Sequence, residues 1–183
     1  MKFNLECKIN DEDYYKYNEF VILRSPYGKK SMAALRLAIV IMLGLFSVMA
    51  FVMNGVTKGT LIALIPTAGL ILIMQLALNP IMKSTLKKQL KALKDSGKPT
   101  YSEKSHIEVY DDHFVETDAD GVHKVRFASV ERVSVIKDKY VYVHVSSSNG
   151  YIFKADCFED SEQLAAFTDL LKEKCKEINY YKK

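Results

Sequence analysis

Four histidines in the second half of the chain lie close to acidic residues, and imidazole with carboxylate is a donor set that binds transition metals. His106 and His113 flank the pair Asp111-Asp112, which makes this stretch the strongest candidate for a metal site, while His123 and His144 lie further along. The spacing fits no established ligand pattern, and acidic residues are frequent at turns because their side chains bond the local backbone. We therefore expect packed or solvated histidines and no bound metal.

A second acidic stretch, Asp118-Ala119-Asp120-Gly121, is similar to the beginning of a calcium-binding loop. Such a loop also needs a third acidic position and a bidentate glutamate, and the sequence supplies neither. An Asp-Gly pair is a frequent turn between antiparallel strands. We therefore expect a hairpin turn here.

Three cysteines, Cys7, Cys157 and Cys175, are widely spaced. In the cytoplasmic location argued below they are expected to be reduced thiols. Cys7 and Cys175 fall on apolar faces, whereas Cys157 lies in a segment that could be exposed. A catalytic thiol would need a base, and no histidine is near Cys157 in the sequence. Because the hydrolase, metalloprotease and nucleotide-binding motifs are also missing, we expect no enzyme activity and no cofactor.

Two charge-free apolar stretches, Leu37 to Thr57 and Gly59 to Met82, are separated by Lys58 alone. A helix needs about 20 residues to cross a hydrocarbon core roughly 30 Å thick, and each stretch is long enough. We therefore predict two transmembrane helices, at 33–57 and 59–82, that form a hairpin.

Positive charge is concentrated around this hairpin. Residues 24–98 carry eleven basic side chains and one acidic side chain, whereas the net charge is −2 for residues 1–23 and −4 for residues 100–183. Basic residues next to a span stay on the cytoplasmic side, so both termini are predicted to be cytoplasmic. The acidic balance of the C-terminal part disfavours nucleic-acid binding, which needs a basic surface.

Five lysines follow the second apolar stretch. A helix there would place Leu86, Leu90 and Leu93 on one face, and two interpretations remain open. The segment could lie along anionic headgroups, where each lysine contributes about 1 kcal/mol, or it could simply extend the second span with solvated lysines. The residues predicted to contact the lipid surface are Lys83, Lys87, Lys88, Lys91 and Lys94.

The apolar stretches carry no ionisable residue deep inside them, although ion and proton pathways usually need one. The small residues Gly44, Ser47, Ala50 and Gly69 are instead predicted to let the two helices pack closely. We therefore expect the hairpin to be an anchor, unless several copies assemble around a pore.

The remaining sequence predicts strands followed by a helix. Alternating residues at 3–8 indicate a strand, and Asn10 with Asp13 indicates a helix start. The pair Asp160 and Gln163 predicts a final helix with an apolar stripe of Leu164, Phe167, Leu171, Cys175 and Ile178. Six further strands are predicted, at 105–110, 113–117, 124–127, 130–136, 140–145 and 151–154.

Short antiparallel strands closed by one C-terminal helix are typical of a pleckstrin-homology-like (PH-like) split barrel. The strand at 3–8 would complete the sheet, with the membrane hairpin inserted between the first and second strands. The predicted fold class is an α+β membrane protein, with a two-helix transmembrane hairpin and a PH-like antiparallel split barrel capped by a C-terminal helix. The predicted segments are an N-terminal strand and helix at 1–28, the spans at 33–57 and 59–82, a basic helix and linker at 83–99, and the PH-like domain at 100–183.

Over nearly its whole length the chain resembles the YcxB-like family of bacterial membrane proteins. The resemblance rests on the two spans with a lysine-rich exit and on four segments: 11–15, 106–112, 127–133 and 151–158. It implies a PH-like cytoplasmic domain and a location in the bacterial plasma membrane. Members of the family are broadly of unknown function, so the resemblance implies an architecture and no chemistry.

Two functions are consistent with these patterns. The first is a non-catalytic interaction module, anchored at the cytoplasmic face, that binds a protein at a free strand edge or beside the final helix. Exposed tyrosines at Tyr140, Tyr142 and Tyr151 would suit a partner surface, although cross-strand pairing would also explain them. The alternative is a small oligomeric transport or membrane-stress component assembled through the hairpin. The expected partners are the membrane, with its anionic lipid, and an unidentified protein.

Overall fold

The computed structural model describes residues 1–97, 101–137, 139–146 and 149–182. Within these ranges the chain forms four helices and eight strands. The helices are α1 (Asp11–Leu23), α2 (Pro26–Asn54), α3 (Lys58–Asp95) and α4 (Ser161–Lys174). The strands are β1 (Phe3–Lys8), β2 (Lys104–Val109), β3 (His113–Thr117), β4 (Val122–Arg126), β5 (Arg132–Ile136), β6 (Tyr140–His144), β7 (Gly150–Lys154) and β8 (Ile178–Tyr181).

The chain divides into two compact units. The helical unit is Asn18–Ala92, and the sheet unit combines Met1–Tyr17 with Leu93–Lys183. The end of the predicted linker, Lys98 and Pro99, lies outside the described residues.

Two long helices make up most of the helical unit. Both α2, with 29 residues, and α3, with 38, are long and apolar enough to cross a membrane. A core helix of a soluble protein would bury its apolar side chains, yet Val52 is 80% exposed and Leu76 is 72% exposed. Apolar surface of this extent is typical of chains that meet lipid or another protein.

The start of α2 follows from its first residues. Ser25 is the N-cap, and its side chain accepts a hydrogen bond from the Gly28 amide at 2.9 Å, while Pro26 occupies the first helical position. A Cβ at Gly28 would collide with the backbone carbonyls of Val21 and Ile22, so α1 and α2 meet where only glycine fits.

The predicted packing through small residues is wrong for the two glycines, Gly44 and Gly69. Space is open around the Cα of Gly44 and of Gly69, with nothing within 4 Å of an added Cβ. Ser47 donates to the Leu43 carbonyl of its own helix at 3.2 Å. Gly44 and Gly69 therefore do not bring α2 and α3 together, and the same role for Ser47 and Ala50 stays a prediction.

Polar groups at the ends of the spans join the two helices instead. Gln75 donates through Nε2 to the Arg36 carbonyl at 3.2 Å, and Arg36 donates through Nη2 to Asn79 Oδ1 at 3.1 Å. These bonds satisfy polar atoms that apolar surroundings would otherwise leave unpaired.

The first sheet has the order β1-β2-β3-β4 and is antiparallel throughout. The pairing of β1 with β2, from Phe3 opposite Val109 to Lys8 opposite Lys104, confirms that the hairpin is inserted between the first two strands. The turn between β3 and β4 is held by Asp118, whose Oδ1 accepts from the amides of Asp120 at 2.9 Å and Gly121 at 3.1 Å. This geometry confirms the predicted hairpin turn.

The second sheet, β7-β6-β5-β8, corrects two expectations. Its last strand, β8, pairs in parallel with β5, so the sheet is mixed rather than antiparallel, and the two sheets do not close into a barrel. The final helix ends at Lys174, and Ile178 begins β8 instead of continuing the predicted helical stripe. The sequence Ile178-Asn179-Tyr180-Tyr181 is rich in residues that prefer strands, and packing against β5 outweighs the helical spacing.

The core of the sheet unit lies between the two sheets and α4. Phe114, Phe153 and Phe167 are fully buried, and their rings pack edge-to-face or tilted at centroid distances of 5.7 Å and 4.8 Å. The predicted cap of α4 is confirmed, since Asp160 accepts from the Gln163 amide at 2.8 Å.

Candidate functional site

The predicted tyrosine surface is not one exposed surface. Tyr142 is only 2% exposed, because Tyr17 of α1 packs edge-to-face against it at a centroid distance of 5.1 Å. Tyr151 packs against Phe114 at 4.8 Å. In the β6–β7 register Tyr151 lies opposite Val143, so it belongs to the other face of the sheet. The expectation of three exposed tyrosines is therefore wrong.

Tyr140 is instead part of a polar connection between α1 and the second sheet. Its hydroxyl donates to Asp13 Oδ1 at 2.7 Å, and Lys154 Nζ lies 3.1 Å from Asp13 Oδ2. Burial, together with the Asp13 carboxylate, raises the pKa of Tyr140. Asp13 also closes the predicted capping pair, since its amide bonds Asn10 Oδ1 at 2.9 Å. These tyrosine contacts hold α1 on the sheet.

A buried histidine lies beneath the same part of α1. His144 is fully buried, stacks on Tyr17 at a centroid distance of 5.8 Å, and lies 3.2 Å from the Ser134 hydroxyl through Nε2. Burial, with a smaller contribution from the Arg132 charge, lowers the pKa of His144 to about 4. The histidine is therefore neutral at physiological pH.

The other histidines are dispersed. His106 lies 2.6 Å from Glu6, His113 stacks on Tyr110, and His123 lies 4.0 Å from Asp118. Among the described residues no group of three or more His, Cys, Asp or Glu could hold a metal ion.

The five lysines predicted to contact lipid lie on the last turns of α3, and all are exposed. Because α3 is continuous from Lys58 to Asp95, this segment extends the second apolar helix, and both interpretations of its lysines stay open. Lys83 pairs with Glu19 at 2.8 Å, and Lys94 pairs with Asp11. Lipid contact by the lysines stays a prediction.

The cysteine prediction needs correction. The structure joins Cys7 of β1 to Cys157 in a disulfide, with Cα atoms 4.8 Å apart. Both residues are buried, at 1% and 8% exposure, so the segment of Cys157 that could have been exposed is not. Cys175 is a free thiol, and burial raises its pKa to about 11, which keeps it protonated and unreactive.

A groove of about 580 Å³ lies beside α4 in the sheet unit, and its volume is within the usual size range of ligand pockets. Its apolar lining includes Val135 and Val141, which face each other across β5 and β6. Leu164 and Thr168 line it from α4. Thr168 donates its hydroxyl to the Leu164 carbonyl at 2.9 Å, so this polar group is already satisfied within the helix. The lining also includes Phe158, Tyr140 of β6, and Tyr180 and Tyr181 of β8.

Charged residues of opposite sign come from different elements around this groove. The basic ones, Lys137, Lys139 and Lys182, belong to the sheet side, at the β5–β6 turn and after β8. The acidic ones, Glu159, Asp160 and Asp169, belong to α4 and the residues before it. An apolar lining with charged edges can bind a polypeptide segment by burial of its side chains and orient it by charge.

Sequence reasoning named the neighbourhood of the final helix and one predicted partner-surface residue that lines the groove, Tyr140, but not the groove as a whole. The strand β8 was not predicted, because its first residue, Ile178, fitted the helical stripe of α4. The strand-forming run from Ile178 to Tyr181 was the available signal.

No protein-family model matches the chain, and neither a curated protein nor a solved structure shows significant similarity to it.

Proposed function

We propose that this chain is a membrane-anchored interaction module, in which α2 and α3 hold a PH-like domain at the cytoplasmic face of a bacterial plasma membrane. The domain acts by binding a polypeptide partner rather than by catalysis. The single observation that carries this proposal is the apolar groove beside α4, which combines a volume of about 580 Å³ with charged edges of opposite sign. The resemblance to the YcxB-like family supports the same architecture.

The PH-like assignment is supported by strand order. Four antiparallel strands are followed by three more and by a helix that buries Phe167 between the sheets. The strand β8, which follows the helix and pairs with β5, is an addition to that order.

The orientation rests on the basic residues around the hairpin. The disulfide argues in the opposite direction, since such bonds persist mainly in oxidising compartments. The Cα separation of 4.8 Å is usual for a disulfide, so the proposed orientation requires that both thiols are kept reduced in the cell.

Two adjacent alanines of α4 give a matched test. Ala165 lines the groove, whereas Ala166 is exposed and is not part of its lining. A photo-crosslinking amino acid at each position of the full chain, in native membranes, should give one discrete adduct from position 165 and none from 166. Equal labelling at the two positions would contradict the groove as the binding site. A discrete homo-oligomer without a crosslinked partner would favour the oligomeric transport or membrane-stress alternative.

A further inference from the structure

One edge of the second sheet is formed by β8, and β7 forms the other. The Val133 amide donates to the Glu177 carbonyl at 2.8 Å, and the Lys137 amide donates to the Tyr181 carbonyl at 3.2 Å. Backbone groups alternate in direction along a strand, so the N–H and C=O of Ile178 and Tyr180 are directed away from β5. In the part of the chain that the structure describes, no strand pairs with this outer edge.

The groove adjoins this edge. Tyr180 both belongs to the edge strand and lines the groove, and its side chain is 61% exposed. A free strand edge next to an apolar pocket is the arrangement that proteins use for strand addition. Main-chain hydrogen bonds then provide affinity, and pockets for alternate side chains provide specificity.

We propose that β8 receives an extended segment of a partner protein as a further strand of the second sheet, with alternate apolar side chains of that segment in the groove. This inference rests on the proposed function and names its mode of binding. The four-residue length of β8 limits the paired segment to a few residues and protects the free edge from unspecific pairing.

The charges define the chemistry of the segment. Lys137, Lys139 and Lys182 lie at the end of β8, and no described carboxylate lies within 4.0 Å of their amines. An acidic residue of the partner would pair there, whereas the carboxylates of Glu159 and Asp169 would repel it from the α4 side. The partner segment is therefore extended, alternates apolar and polar residues, and carries acidic residues at the end that meets these lysines.

Two substitutions at one position separate main-chain from side-chain recognition. Tyr180→Ala removes the ring and keeps the outward N–H, whereas Tyr180→Pro removes both. Proline is tolerated at an edge position whose N–H makes no bond within the sheet. The difference in affinity between the two variants therefore reports the loss of the main-chain N–H together with the fixed φ of proline.

The probe is a displayed library of random ten-residue peptides, selected against the full chain in lipid nanodiscs. We expect selected peptides to alternate apolar and polar residues with acidic residues at one end. Their affinity should be about tenfold lower for Tyr180→Pro than for Tyr180→Ala, as loss of one main-chain hydrogen bond predicts. Hydrogen exchange of β5 and β6 should be unchanged in both variants, which shows that the sheet remains folded.

Equal affinity for the two variants, or a selection that yields no peptide, would overturn strand addition. A crosslinked partner at Ala165 together with equal affinity would keep the proposed function and remove only this mode. Absence of a crosslink at Ala165 with a tenfold difference at Tyr180 would keep the strand edge and remove the groove.

Discussion

Replacement of Asp13 by alanine should release the first half of α1 from the second sheet. The Asp13 side chain is 5% exposed, accepts from the Tyr140 hydroxyl at 2.7 Å and lies 3.1 Å from Lys154 Nζ. It also accepts from the Asn10 amide at 3.2 Å, which satisfies a donor at the start of the helix. One substitution therefore removes an ion pair, a side-chain hydrogen bond and part of a helix cap.

The magnitude follows from how much of each interaction survives. Removal of one partner of a buried ion pair costs about 3–5 kcal/mol. Because Lys154 keeps a second carboxylate, Asp156 at 3.0 Å, we take the lower end of this range, about 3 kcal/mol. Asp156 does not replace Asp13 fully, since its side chain is 69% exposed. The lost acceptors of Tyr140 and Asn10 contribute about 1 kcal/mol each, and the terms overlap because they share one carboxylate. We expect a total of about 3–4 kcal/mol.

Hydrogen exchange of the full chain in nanodiscs measures this loss locally. A decrease of 3 kcal/mol in the opening free energy accelerates exchange about a hundredfold, and the effect should be confined to Asp11–Tyr17 and β6. Asp13→Asn keeps an acceptor for Tyr140 and for the helix start and loses only the charge, so it should show about half of the effect. Exchange within threefold of the unaltered chain for Asp13→Ala would refute the reasoning.

Three further outcomes are expected. Gly28→Ala should lower the free energy of unfolding by about 1–3 kcal/mol, because the added Cβ meets backbone carbonyls of α1. Gly44→Ala, at a position in open space, should leave the free energy of unfolding unchanged. Thermal unfolding in detergent compares the two variants. The pKa of His144 is about 4 in the folded chain and 6.5 in the unfolded chain, so between these pH values only the unfolded chain binds the proton. Stability should therefore fall as pH falls through this window, and less so in His144→Gln, in melting curves recorded at each pH. In living cells with the domain in the cytoplasm, Cys7 and Cys157 should both be alkylated by a maleimide added on denaturation, and a disulfide that survives would place the domain on an oxidising side.

The local signals that predicted the fold are those that act within a few residues. The Asn10–Asp13 and Asp160–Gln163 pairs, and the Asp118–Gly121 turn, form the bonds that their spacing implied. The end of α4 before β8 was not predictable in this way, because Cys175 and Ile178 fit a helical stripe as well as a strand. The strand forms because β5 offers an unpaired edge to it, and that edge cannot be seen in the local sequence.

The candidate site was predicted less well than the fold. Alternation along β6 predicted one buried and one partly exposed face, but α1 covers the second face, so Tyr142 is buried on the side that was expected to meet a partner. The groove combines β5 with α4 and β8, which follow β5 only after two further strands, and no periodicity within one of these elements indicates it. The disulfide likewise joins positions separated by 150 residues.

Because β1 pairs with β2, the segment between them can cross a membrane only an even number of times, whatever its hydropathy. Cys7 lies opposite Ser105 and Lys8 opposite Lys104, so a chain that leaves the sheet after β1 must return to the same sheet before β2. Two spanning helices meet this condition, whereas one or three would not. The sheet is thus consistent with a membrane hairpin, and it does not decide the side of the membrane on which the sheet would lie. Charge decides that side during insertion, through the basic residues that flank the spans. The redox state of Cys7 then shows on which side of the membrane the sheet lies, because this cysteine belongs to β1, the strand directly before the apolar helices.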